Sequence, residues 1–286
     1  MNQLLLTQIE WIRDLNGNSP QWLKAFFIGC NYIDTFAGYT IIAIVVWMGF
    51  KKVRGIELVV LALISHAITV LIKDYYQIPR PFVIDPSVGL VHVDGFSFPS
   101  GASQTAMLWG GYFIYHAKGH KFLQALAVLY ILLISFSRIF LGVHYPMDVL
   151  MGWFTGGILV TLYVRYGLRA YNTAISWSSE RRLLTFTIIL LVIPLVFFNA
   201  SLWRNFFTLF GIALGLYCDE KCRDPMKDPK QLSKRILRVL FSLIQVVALV
   251  LLLPMVLKAA PFSKLIFGFV VGFWVAFIMP RLNVRV

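Results

Sequence analysis

Charge and cysteine are both scarce in this chain. Only 14% of its 286 residues are charged, against 59% that are hydrophobic. A soluble domain of this length carries about 25% charged residues, so an ordinary globular protein is excluded. Acidic residues are the rarer sign: 13 Asp and Glu face 26 Lys and Arg, for a net charge of +13. In a soluble protein that excess would point to nucleic acid. At a mean hydropathy of +0.76 it reads instead as the Lys and Arg that membrane proteins gather in their cytoplasmic loops, and no nucleic-acid partner is expected. The three cysteines read as ordinary reduced thiols. Cys218 and Cys222 sit four apart in a polar loop but lack the further ligands a zinc site needs, and Cys30 reads as a small buried hydrophobe. No cluster resembles a metal cage, and neither metal nor cofactor is expected. Internal repeats, low-complexity tracts and a second domain are also missing. The first 22 residues lack a basic leader, and Gln, Glu, Arg and Asp break their apolar run; they read as an amphipathic surface helix rather than a cleaved signal.

What the chain has in abundance is apolar runs. Stretches near the length of a bilayer crossing fall at 22–32, 34–50, 56–76, 101–117, 121–141, 147–165, 183–199, 203–217, 236–257 and 262–280. The first two, interrupted by Asn31 and Asp34, read as one opening segment with a tilted or interfacial first part. The pattern predicts an all-α, polytopic integral membrane protein of about nine crossings. Most of the Lys and Arg fall on one side: 51–55, 116–121, 165–182, 218–235 with Arg238, and the tail after 280. This places the N-terminus outside and the C-terminus in the cytoplasm, with residues 74–100 and 142–146 on the outer face.

Three clusters on that face carry ionisable or polar groups that are expensive beside lipid. The first is "KDYYQIPRP", with Lys73 at a helix end and Arg80 seven residues on. The second is "FPSGASQTA", where Ser100 can cap a helix and Gly101 leaves backbone N–H groups bare; such a start binds phosphate oxygens through its amides and dipole. The third is "SRIFLGVHYPMD", in which Asp148 follows His144 by four residues, one helical turn, with Arg138 close by. Each has a plainer reading: a snorkelling Lys and interfacial Arg, a simple helix cap, a satisfied core histidine. Taken together they hold three cations, a serine at a helix start, and a histidine whose second nitrogen a carboxylate can orient. That inventory suits phosphoryl transfer without metal, with cations and amides neutralising the phosphoryl oxygens while His144 attacks in line.

The motifs resemble those of the type-2 phosphatidic acid phosphatase superfamily. Lys73, Arg80 and Pro81 match its Lys-x6-Arg-Pro. Pro99, Ser100 and Gly101 match its Pro-Ser-Gly-His except at Ala102. Ser137, Arg138, His144 and Asp148 match its Ser-Arg-x5-His-x3-Asp. The resemblance covers residues 56–170 as the catalytic core of a single membrane domain, flanked by opening helices over 1–55 and a three-helix extension over 183–280. The nine-crossing layout and "TLFGIALGLY" look like the glucose-6-phosphatase branch. The resemblance implies that His144 forms a phosphohistidine, that Asp148 orients it, and that Lys73, Arg80, Ser100, Gly101 and Arg138 hold the phosphate. It also implies a general-acid His where Ala102 stands. Two explanations of Ala102 are open. An engineered substitution is favoured by the otherwise intact helix start and would leave this form impaired. A native alanine would instead favour a pyrophosphate, whose departing phosphate needs a proton less than an alkoxide does. His92 could in principle substitute; His66, two turns below Lys73, reads as a buried polar contact, and His116 and His120 lie on the cytoplasmic side, too far away.

The leading expectation is therefore a hydrolase of membrane lipid phosphates in a bacterial plasma membrane, active on the extracytoplasmic face. Candidate substrates are phosphatidate, phosphatidylglycerol phosphate, undecaprenyl pyrophosphate and a sphingoid phosphate. The alternatives are a sugar phosphatase of the glucose-6-phosphatase type, for which Asp85, His92 and Asp94 could line the pocket, a phosphotransferase, and a transporter that binds lipid phosphate without turnover.

Overall fold

The computed structural model describes residues 3–33, 36–49, 52–197, 199–222, 231–257 and 262–282. Asp34 and most of the hydrophilic loop after Cys222 lie outside them. Every element among the described residues is helical: α1 (Gln3–Gly17), α2 (Gln21–Ile33), α3 (Phe36–Gly49), α4 (Lys52–Tyr76), α5 (Pro81–Ile84), a 3-10 turn (Pro86–Val88), α6 (Gly101–His116), α7 (Lys121–Phe140), α8 (Pro146–Leu162), α9 (Leu168–Ser176), α10 (Ser179–Phe197), α11 (Ala200–Lys221), α12 (Leu232–Leu257), α13 (Ser263–Phe273) and α14 (Met279–Leu282), with π turns at Tyr163–Gly167 and Trp274–Ile278. The all-α, polytopic membrane class expected from the apolar runs is what the chain adopts.

Among the described residues, five stretches are long and apolar enough to cross a bilayer: Val53–Ile84, Lys121–Phe140, Pro146–Gly167, Leu232–Val256 and Ser263–Leu282. The count becomes six if α2 and α3 together form one broken span. Three other expected crossings are helices that fall short for physical reasons. α6 has 16 residues, about 24 Å of helix against a hydrocarbon core of about 30 Å. α10 opens with Glu180, Arg181 and Arg182, and Arg204, Asn205 and Thr208 dilute α11.

The chain divides into two compact units, one of residues 1–39 and 64–168, the other of 40–63 and 169–286. In the first unit α6 is the central element and buries Ser103, Gln104, Thr105, Trp109 and Tyr112. α8 lies directly against its backbone. A Cβ on Gly152 would come within 2.6 Å of the Ser100 carbonyl, and one on Gly156 within 2.5 Å of the Gln104 carbonyl. This is the small-xxx-small contact by which helices pack in lipid, where no hydrophobic force draws them together. On its other side α6 meets α7, and the turn after α7 holds Gly142. That residue has φ +70°, a conformation open to glycine at little cost, and a Cβ there would strike the Val88 carbonyl at 2.0 Å. α1 braces the same corner: the buried Asn16 side chain donates to the carbonyls of Val88 (2.7 Å) and Phe140 (3.2 Å). α1 buries Ile9 and Ile12 and exposes Leu4 and Trp11.

The second unit is built on Trp47, Met48, Ile212, Val271, Ala276 and Met279. It also holds an ion pair between Asp219 of α11 and Arg281 of α14 at 2.9 Å.

Candidate active site

All eight positions singled out in the three motifs lie in the first unit. His144 sits in the short turn between α7 and α8, its amide donating to the Arg138 carbonyl at 3.3 Å. Pro146 starts α8, a position where its missing N–H costs nothing, and Asp148 follows in the first turn. The helical spacing brings Asp148 Oδ2 to 3.3 Å from His144 Nδ1. The same oxygen accepts from the Tyr145 amide at 2.9 Å and from the Ser97 hydroxyl. Asp148 therefore caps the start of α8 and orients the imidazole at once.

A carboxylate can only accept, so the proton of a neutral His144 ring sits on Nδ1 and the lone pair on Nε2. Arg80 Nη1 lies 3.2 Å from that Nε2. His144 is 5% exposed. Burial, reinforced by the positive charges of Lys73 and Arg80, pulls its pKa from 6.5 down to about 3, although Asp148 pulls the other way. Desolvation disfavours the charged form, and here it outweighs the carboxylate. His144 is thus a neutral imidazole at pH 7 with Nε2 directed at a guanidinium.

The cations reach His144 from α4 and the turn after it. Lys73, in the last turn of α4, donates to the carbonyls of Phe96 and Ser97, the latter at 2.9 Å. Arg80, extended before Pro81 as a pre-proline residue tends to be, donates to the carbonyls of Gly95 (2.9 Å), Asp94 (3.1 Å) and Val143 (2.9 Å). The two side chains wrap the 94–97 loop around the histidine. Ser97 was not legible as a site residue, because nothing local in "GFSFPSG" marks it. Its place follows from the loop's path past Asp148.

The start of α6 closes the site. The Ser100 amide donates to the Asp148 carbonyl at 3.0 Å, and its hydroxyl caps the helix by accepting from the Ser103 amide at 3.4 Å. Gly101 packs on Thr69 of α4. Ala102 places its methyl beside Ala106 and Ile134, with Tyr130 against that group. It carries no group that can give a proton.

Arg138 contributes differently from the other two cations. Its guanidinium donates to Ser137 Oγ at 3.1 Å and to Asn31 Oδ1 of α2 at 2.9 Å. Asn31 stands 107 positions away in the chain, so its part could not be read from motif spacing. Other polar residues considered from the sequence lie elsewhere. Asp85 is bonded to Arg13 and Ser87. The side chains of His92 and Asp94 are exposed and pair with each other at 3.5 Å. His116, at the opposite end of α6, meets Tyr163 Oη at 3.0 Å.

Residues 54–172 match the sequence profile of the PAP2 superfamily, and residues 207–286 match the transmembrane extension of PAP2 superfamily phosphatases. An undecaprenyl-diphosphatase of Sulfolobus acidocaldarius is 30% identical over 120 residues, 41% of this chain and 57% of that protein. A dihydrosphingosine 1-phosphate phosphatase of Schizosaccharomyces pombe is 30% identical over 141 residues, 45% of this chain and 33% of that protein. The match thus spans little more than half of one curated relative and a third of the other. A crystal structure of the transmembrane PAP2-type phosphatidylglycerolphosphate phosphatase of Bacillus subtilis shares the fold. Its TM-score is 0.52 at 23% identity, over 59% of this chain and 88% of that one.

Proposed function

The chain belongs to the PAP2 superfamily, and on that premise we propose that it is a membrane phosphatase acting on a lipid phosphate through a phosphohistidine at His144. The observation that carries the proposal is the placing of one neutral imidazole between Asp148 on Nδ1 and Arg80 on Nε2. In the first step Nε2 attacks the terminal phosphorus. A P–N bond forms, the P–O bond to the leaving group breaks, and the ring becomes positive with Asp148 beside it. Arg80, Lys73, Arg138 and the α6 start at Ser100 and Gly101 take up the charge of the phosphoryl oxygens. In the second step water attacks the phosphorus, the P–N bond breaks, and the product is dihydrogen phosphate with the ring neutral again.

The leaving group decides the substrate. A phosphomonoester releases an alkoxide, which needs a proton, and loss of general-acid help costs roughly 10²–10⁴ in rate. Ala102 supplies none. A lipid diphosphate releases a lipid monophosphate dianion and balances without a proton at that step. A lipid diphosphate is therefore the substrate this form suits best, in keeping with the name of the archaeal relative. A sugar phosphate is a poorer fit, because the polar side chains that could have lined its pocket are tied to Arg13 and Ser87 or turned to solvent.

The nine-crossing layout belongs to the same proposal. Counting α2 and α3 as one span and adding α6, α10 and α11 to the five long apolar stretches makes nine. The distribution of Lys and Arg supports an outward-facing N-terminus and site.

Phosphate release in detergent tests the reading. Ala102→His should raise hydrolysis of phosphatidate by about 10²–10⁴, change hydrolysis of a polyprenyl diphosphate little, and leave both insensitive to EDTA. Loss of activity in EDTA, or no gain on the monoester, would contradict it.

A further inference from the structure

Three polar residues of α4 stand one turn apart on the face that meets α6: Ser65, Thr69 and Lys73. Two of them have side-chain hydrogen bonds. Ser65 Oγ accepts from Gln104 Nε2 at 3.0 Å and meets Thr105 Oγ1 at 3.0 Å. Lys73 donates to the 96 and 97 carbonyls. Thr69, between them, is 4% exposed, and its hydroxyl has no hydrogen-bond partner among the described residues. A buried polar group left unmatched costs folding free energy, and valine would fill the same volume without that cost.

The hydroxyl lies beside the start of α6. A Cβ placed on Gly101 would come 3.5 Å from Thr69 Oγ1 and 3.1 Å from its methyl. Gly101 is the first residue of a 16-residue helix, so its amide is one that the helix itself leaves unpaired. The hydroxyl thus adjoins the first residue of α6, Lys73 follows one turn along α4, and a helix start favours an anion.

We propose that Thr69 is a phosphate-binding residue, donating its hydroxyl to a phosphoryl oxygen held at the α6 start. This rests on the reading of the site as a phosphoryl-transfer centre and adds a donor from within the α4 span that no motif contains. The ligand class is a tetrahedral oxyanion, either the terminal phosphoryl of a lipid or free phosphate.

Titration of the full chain in detergent with inorganic phosphate and with orthovanadate separates the outcomes. A hydrogen bond to a charged group supports an expected rise of at least tenfold in both Kd values for Thr69→Val, with Thr69→Ser close to the parent. Thermal stability without phosphate should hold or increase. Equal Kd values for parent and Thr69→Val, or no binding by the parent, would overturn the proposal. If Thr69→Val does not fold, Thr69→Ala replaces it and is judged by the same comparison. Weakened phosphate binding in a chain that hydrolyses no lipid phosphate would refute the phosphatase reading and leave the Thr69 site standing. Normal lipid hydrolysis with unchanged phosphate affinity in Thr69→Val would do the reverse.

Discussion

Asp148→Asn isolates the electrostatic part of the mechanism. All three donors to this carboxylate, the Tyr145 amide, the Ser97 hydroxyl and His144 Nδ1, converge on Oδ2. In the asparagine variant the Tyr145 N–H requires an oxygen at that place, since an amide NH₂ there would meet a second donor. The variant should therefore retain both the cap of α8 and the proton on Nδ1, and lose only the negative charge. The charge matters once the ring becomes positive in the attack on phosphorus. At 3.3 Å a full pair of charges is worth about 5 kcal/mol with an effective dielectric constant of about 20, and about 1.3 kcal/mol in bulk water. The buried setting favours the larger figure, so kcat should fall roughly 10³–10⁴-fold. KM should change little, because the charge develops after binding. Lost helix-dipole interaction should lower stability by no more than about 1 kcal/mol. Single-turnover phosphate release from saturating polyprenyl diphosphate, with a thermal melt as the folding control, measures both. A loss of less than tenfold in a folded variant would refute the reasoning, because it would mean that no positive charge builds on His144.

Three further outcomes are expected. With its pKa held near 3 by burial, His144 stays unprotonated through mildly acid pH, so the kcat/KM profile should show no acid limb centred near 6.5. In stability the sign is that of a base whose pKa is depressed on folding. The unfolded chain binds the proton first, so stability falls as pH drops below about 6.5 and continues to fall toward about 3; melts at pH 7, 5 and 4 should show that slope, and His144→Gln should reduce it. Asn31→Ala removes the acceptor that holds the Arg138 guanidinium. Loss of a hydrogen bond to a charged group should lower kcat/KM by about tenfold or more, and Asn31→Asp should restore most of it; equal kinetics in the alanine variant would show that Arg138 needs no such support.

The geometry of the candidate site was readable in the sequence where it is local. A four-residue interval on a helix is a contact, so His144 and Asp148 could be paired before any coordinates. Lys73 and Arg80 announced themselves as charges at an apolar helix end, where a charge needs a reason. Ser97 and Asn31 were illegible for one shared cause. Each meets a partner far away in sequence, and each is a common polar residue in an unremarkable local context. The helical class was evident from composition, while the proposed count of nine crossings turns on α6, α10 and α11. α6 is short and largely enclosed by its neighbours, while α10 and α11 carry charged or polar turns within the same run. Packing partners, which a run of letters does not display, decide how such helices meet the lipid.

The central claim is a covalent bond between phosphorus and His144 Nε2. Rapid acid-free quenching of the protein with a polyprenyl diphosphate carrying ³²P in its terminal phosphoryl group tests it most directly. The account predicts an alkali-stable, acid-labile label on the peptide that contains His144, formed before phosphate release and absent from His144→Ala. Phosphate release that proceeds without any labelled protein, or with the label on another residue, would contradict it.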